Sequence, residues 1–259
     1  MRRSHVLAVL ACVLLARVGS AEERFTTKGG GQVVIRPLAH SSVRLDFGTM
    51  VVYVDPWSRA DLTDAPPADL ILISDADAGG HHLDPAAIQK LRKSSTAIVM
   101  PASGKEKLPD GVVMANGEAR TFDGVRVESI GSYDLRPGEP FHAKGIANGY
   151  LVTIDGMRIL FAGVTECVPE IKQLQSIDVA FMPMNLPNGR MTVEATAACL
   201  AELRPKVAYP YHYDQGYIAR LSGRANATSR ADAAASVRTL ATALAGRVEL
   251  RELALYPEQ

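Results

Sequence analysis

Asp69-Leu-Ile-Leu-Ile-Ser-Asp-Ala-Asp-Ala-Gly-Gly-His-His-Leu-Asp84 is the stretch from which the fold can be read. The run Ala68 to Ser74 is too continuously apolar for a half-solvated strand and reads as a central strand buried on both faces. It empties into a polar loop carrying Asp75, Asp77, His81 and His82, after which Asp84-Pro85 opens a helix. Carboxylates and imidazoles gathered at the C-terminal end of a buried strand are where α/β folds place their chemistry. An Asp/Gly-rich connection between any strand and helix has the same look, so this loop alone leaves both readings open.

Working outward, Gln32–Ala39 begins the ordered pattern, and Val43–Phe47 and Met50–Val54 flank a Gly48-Thr49 turn as a hairpin. Asp55-Pro56-Trp57 closes it with the chain's only tryptophan. Asp84 suits an N-cap and Pro85 the first helical position. Further short strands are expected at 96–100, 111–114, 119–122 and 125–130, with Asn116-Gly117 and Asp123-Gly124 as turns. A second hairpin, 150–154 and 157–161, turns at Asp155-Gly156, and 177–183 is another central strand. The order hairpin, polar loop, buried strand thus occurs twice, at 42–74 and at 149–183. This predicts a duplicated β-sandwich with helices outside it. The remaining elements are a helix from Val193 to Leu203 capped by Thr192, a strand at 206–210 leading into Tyr211-His212-Tyr213, an Ala-rich helix from Ser229 to Gly246, and a final strand at 247–251.

The 259 residues are 47% hydrophobic, enough for one large domain with a substantial core. Met1 to Ala21 has a basic start, about ten apolar residues and a Gly-Ser-Ala end, the pattern of a secretory signal; a membrane span needs about 20 apolar residues. We therefore expect a mature single domain over 22–259, periplasmic or secreted, with no membrane span. Removing the leader takes Arg2, Arg3 and Arg17 and no acid, so a balance of 28 basic and 28 acidic side chains becomes a net charge of −3. That argues against nucleic acid as partner and leaves a small-molecule substrate. Of three cysteines, Cys12 leaves with the leader, and Cys167 and Cys199 are read as free structural side chains.

Five histidines then remain, at 40, 81, 82, 142 and 212, each in a loop and none inside a helix. Core histidines sit more often within elements, so the distribution favours a shared site. Neutral imidazoles and carboxylates suit Zn²⁺, with Mn²⁺ or Fe²⁺ as alternatives, and no thiolate motif competes.

The order of Asp55-Pro-Trp57, the strand into the His/Asp loop, Phe141-His-Ala-Lys-Gly145, Asn148-Gly-Tyr150, Ala162-Gly-Val-Thr-Glu166, Met184-Asn-Leu-Pro187 and Tyr209-Pro-Tyr-His-Tyr213 resembles the metallo-β-lactamase fold. Within it, the likeness is greatest to the ascorbate-6-phosphate-lactonase-like metal-dependent hydrolases. The resemblance spans Ile35 to Gly216. It implies a four-layer αββα sandwich of the α/β class, usually two metals, and hydrolysis by water that the metal activates.

Position by position the match is uneven. The family's His-x-His-x-Asp-His loop falls on Asp75, Asp77, His81 and His82, so two histidines are aspartates, the aspartate is a histidine, and only His82 matches in kind. The aspartate that bridges two metals is Val164. The last metal histidine matches as His212, and His142 is a stand-in for the middle one near Tyr133-Asp134. The resemblance therefore implies metal ligands drawn from Asp75, Asp77, His82, His142 and His212. His81 is read as ligand or general base, or as a solvent-facing neighbour of His82. His40 is read as a substrate or supporting contact, or as a structural hydrogen-bond partner. Asp55 and Trp57 are read as fixing the loop beneath the site. Two functions follow: a hydrolase cleaving an ester, lactone or phosphoester, or a catalytically silent member of the fold that binds a ligand or partner through the same pocket.

Overall fold

The computed structural model describes residues 21–76, 80–136, 138, 142–223 and 229–257. The leader residues 1–20, Asp77 and Phe141 lie outside the described residues.

Two seven-stranded sheets carry the fold. The first contains β1 (Glu23–Thr26), β2 (Gln32–Ala39), β3 (Ser42–Phe47), β4 (Met50–Val54), β5 (Ala68–Leu72), β6 (Arg92–Met100) and β7 (Val112–Val113) in sequence order. The second contains β8 (Ala119–Phe122), β9 (Val125–Ser132), β10 (Ala147–Ile154), β11 (Met157–Phe161), β12 (Val179–Pro183), β13 (Val207–Tyr211) and β14 (Glu249–Leu250). Each sheet makes three antiparallel pairings followed by three parallel ones, so the duplication expected from the sequence extends over all fourteen strands of the described residues. Asp155 and Gly156 both have positive φ, 46° and 77°, the backbone that a two-residue hairpin turn of matching twist requires.

Side chains alternate between two environments along each central strand. Leu70 and Leu72 face a core shared by the sheets, where they meet Val152, Phe161 and Phe181, while Ile71 and Ile73 face outward. That two-sided burial is why Leu70 to Ile73 is uninterrupted by a polar residue, and each such side chain contributes about 1.5–3 kcal/mol. The outer face of the first sheet is covered by α1 (Pro85–Leu91) and α4 (Tyr217–Leu221), through Ile88, Leu91 and Tyr217. The outer face of the second is covered by α2 (Pro169–Lys172), α3 (Val193–Leu203) and α5 (Arg230–Leu244), through Ile171, Leu200 and Leu240. Four layers, αββα, result. The caps fall where the sequence places them: Asp84 Oδ1 accepts from Ala86 N and Ala87 N, Thr192 accepts from Ala195 N, and Ser229 from Asp232 N.

Three features differ from the sequence reading. The strand β1 and helix α4 are additional, and both are too short for their patterns to stand out from a loop. The final strand shortens to two residues. Cys167 and Cys199, read as free, form a disulfide that ties the loop after β11 to α3 with Cα atoms 5.8 Å apart. Sequence spacing could not show this, because the sheet that brings the two elements together is assembled between them.

No helix among the described residues is long and apolar enough to cross a membrane.

Candidate metal centre

Direction parity explains where the histidines go. Two antiparallel steps restore a strand's direction, so β2, β4 and β5 all end at one rim of the first sheet, and β9, β11, β12 and β13 end at one rim of the second. His40 follows β2, His81 and His82 follow β5, His142 lies between β9 and β10, and His212 follows β13. The two rims meet: the rings of His40 and His212 stand 4.0 Å apart. Several rim residues adopt left-handed backbone, with φ of 58° at His40, 45° at Asp55 and 50° at His212. For residues with a Cβ this region costs about 1–2 kcal/mol, and the surrounding sheets hold it in place.

His40, His81 and His212 each offer a ring nitrogen within 4.8 Å of those of the other two. His40 is 1% exposed and His212 5%. Burial, and then the neighbouring histidines, hold both well below the usual imidazole range, so they are neutral and keep a lone pair. Neither Nδ1 nor Nε2 of His40 has a hydrogen-bond partner, and its ring is walled by Trp57, Tyr217 and Tyr256. A buried imidazole with both nitrogens unsatisfied costs free energy unless something outside the chain engages it. His81 Nε2 and His212 Nε2 are 3.3 Å apart. Two imidazole nitrogens on a tetrahedral Zn²⁺ at 2.0–2.1 Å stand roughly 3.3 Å from each other, so this pair already spans one edge of such a site. The residues present fit one borderline divalent ion.

His82 lies beside this group, its ring parallel to that of His212 at 5.2 Å. Its Nδ1 is 2.7 Å from Asp55 Oδ2, with Ser74 Oγ at 3.2 Å. Asp55 is fixed in turn by the Ser74 N–H and hydroxyl. Such a carboxylate sets the tautomer and orientation of an imidazole and aims its Nε2. Asp55, read from sequence as a prop beneath the site, is therefore a direct partner of a site histidine. The signal for it was available, since Asp55 ends β4 at the same rim.

Asp75 and His142 are brought to the rim but bond to each other, Nε2 to Oδ2, at 2.7 Å. Burial pushes the Asp75 carboxyl up, but the His142 hydrogen bond, the nearby His82 and His142 rings and the Ala76 N–H together bring it below its ordinary value. Arg190, 1% exposed, reaches His142 Nδ1 at 3.4 Å and pairs with Asp134, whose second oxygen accepts the His142 N–H. Nothing in the sequence around Arg190 announces a buried guanidinium. Val164 is packed in the apolar core on the helical side of the second sheet, and Glu166 accepts from Leu135 N. Among the described residues, then, His40, His81 and His212 converge, His82 adjoins them, and Asp75 and His142 form a separate buried network.

Residues 34–212 match the model of the beta-lactamase superfamily domain. A metal-dependent hydrolase of Symbiobacterium thermophilum is 29% identical over 194 residues, covering 69% of this chain and 83% of that protein. The crystal structure of a protein from Parabacteroides distasonis is 36% identical with a TM-score of 0.76, over 90% of this chain and 98% of its own. Igni18, a metallo hydrolase of Ignicoccus hospitalis, shares the fold at 18% identity and a TM-score of 0.66, over 87% and 96% of the two chains.

Proposed function

Because the chain belongs to the beta-lactamase superfamily, with its histidine-lined rim at or inside the ends of the matched region, we propose that it is a metal-dependent hydrolase whose ion is held by His40, His81 and His212. The observation that carries this reading is His40: two buried ring nitrogens without partners, in a trio of imidazoles of which burial keeps His40 and His212 neutral. Zinc suits three imidazole nitrogen donors at these separations, with Mn²⁺ or Fe²⁺ as alternatives. Such an ion supplies Lewis acidity and lowers the pKa of water at an open coordination position.

The protein's own groups do the rest. Asp55 orients His82 so that its Nε2 can take a proton from the attacking water or hand one to the leaving oxygen. Trp57, Tyr217 and Tyr256 keep bulk water from the His40 side of the centre. The substrate class is an ester, lactone or phosphoester. Export is supported by the leader pattern and by the Cys167–Cys199 disulfide, which persists in oxidising compartments. A second reading, a silent member of the fold that binds a ligand, draws on the mutual bonding of Asp75 and His142 and on the apolar Val164, which leave fewer donors for a second ion.

Elemental analysis of protein purified without chelator separates the readings. We expect about one equivalent of Zn, Mn or Fe, removed by chelator together with hydrolysis of simple esters, lactones or phosphodiesters and restored by adding it back. If no stoichiometric metal is found and none can be loaded, the hydrolase reading falls. Fractionation of cells producing the full chain, with mass spectrometry under non-reducing conditions, tests export and the disulfide together.

A further inference from the structure

Metal-bound histidines ordinarily donate their other ring N–H to an acceptor, which fixes the metal-binding tautomer. His212 meets the opposite arrangement. Gln215 Nε2 lies 3.2 Å from His212 Nδ1 and 2.5 Å from the His212 carbonyl oxygen. Because His212 has left-handed backbone, with φ of 50°, its own carbonyl and ring edge both face the side chain three residues on. The carbonyl fixes which way the amide points: turned over, the Gln215 Oε1 would abut another oxygen with no proton between them. The amide must therefore present its NH₂ to both atoms, one hydrogen to the carbonyl and one to Nδ1. Nδ1 is then an acceptor, and the proton of the neutral His212 ring lies on Nε2, the nitrogen that faces His81 Nε2 at 3.3 Å.

From this geometry we infer that Gln215 is a positioning residue that holds His212 in the tautomer opposed to metal binding and so sets the affinity of the centre. The inference rests on the metal reading above. For the His212 Nε2 lone pair to bind an ion, the proton on Nε2 must leave and one must be taken up at Nδ1, with no change in the charge of the ring. The Gln215 NH₂ then faces an N–H and has to swing away, giving up its bond to the carbonyl. Gln215 is half-buried at the surface, so it has room to move, and its removal spares the core.

The test compares wild type with Gln215→Met, which keeps length and removes the donor. In metal-free protein, nitrogen-15 NMR of the imidazoles should show His212 protonated at Nε2 in wild type, and a shift toward Nδ1 protonation in the variant. Zinc affinity, measured by competition with a chromogenic chelator, should rise roughly tenfold in Gln215→Met, the lower end of the range for partners of metal ligands. A wild-type His212 already protonated at Nδ1, or a variant with unchanged tautomer and equal or weaker zinc affinity, overturns the inference. If zinc binds neither protein, the metal reading fails, and the tautomer shift alone decides the role of Gln215.

Discussion

The group His40–His81–His212 and the group Asp75–His142–Arg190–Asp134 both bury imidazoles at the site end of the sheets, and they differ in closure. In the second, His142 engages Asp75 with one ring nitrogen and Arg190 with the other, while Asp134 holds Arg190 with one oxygen and the His142 N–H with its second. Buried polar groups satisfied in this way stiffen a structure and have little left to offer a ligand. In the first group, His40 has no partner at either nitrogen, and the cost of burying it is recovered only when something binds. Residue type alone does not separate a metal centre from a buried network. The difference lies in which lone pairs are already engaged.

If this contrast is right, His40→Ala should abolish metal binding and lower hydrolysis on the order of a thousandfold or more, the several kcal/mol an ion supplies as Lewis acid. It should leave the denaturant midpoint of metal-free protein unchanged or raised, since it deletes two unsatisfied nitrogens. Retained metal in that variant would break the comparison at its open end.

Arg190→Met should act in the opposite sense. It strands Asp134 among buried groups and should cost about 3 kcal/mol by denaturant unfolding, with metal content kept at wild-type stoichiometry. Loss of metal in that variant would mean that the two groups work as one.

A smaller effect comes from acid. Burial and the neighbouring histidines lower the folded-state pKa values of His40 and His212 below 6.5, so in that range the unfolded chain binds more protons than the fold. Stability of metal-free protein should therefore be level above about pH 7 and fall as pH drops through 6.5, by at most about 1.4 kcal/mol per pH unit for each histidine. Unfolding midpoints that stay constant from pH 7 to 5.5 would show that the pair is not held neutral by burial. The smallest change is expected for Asp84→Ala, about 1 kcal/mol from the lost helix cap and its bond to Ser58 N. Because Asp84 closes the loop that carries His81 and His82, metal affinity should weaken as well; a loss of stability without that weakening would detach the cap from the site.

The architecture was largely legible in the sequence. Continuous apolar strands, two Gly-bearing hairpin turns, three helix caps and a repeated order of elements sufficed for an αββα sandwich, because each of those signals is local. The five histidines were legible as loop residues for the same reason. Their grouping was not. Asp75 was expected as a ligand, yet its neighbour in space, His142, comes from 67 positions along the chain. His40 was read as a substrate or supporting contact or a structural partner and not as a ligand, because the resemblance supplies no ligand there. Direction parity of the strands would have put His40 and Asp55 on one rim of the first sheet and His212 on one rim of the second. It would not have shown that Arg190 reaches His142 first, since that depends on the length and path of a side chain.

His40 and His81 come from the first seven strands and His212 from the second seven. An ion held by all three is therefore a weld across the seam of a duplicated chain. Neither half contains the site alone, so metal uptake reports that both halves have formed and docked. By mass action, free metal at a hundred times its dissociation constant would add about 2.7 kcal/mol to global stability, all of it lodged in the joint between the sheets.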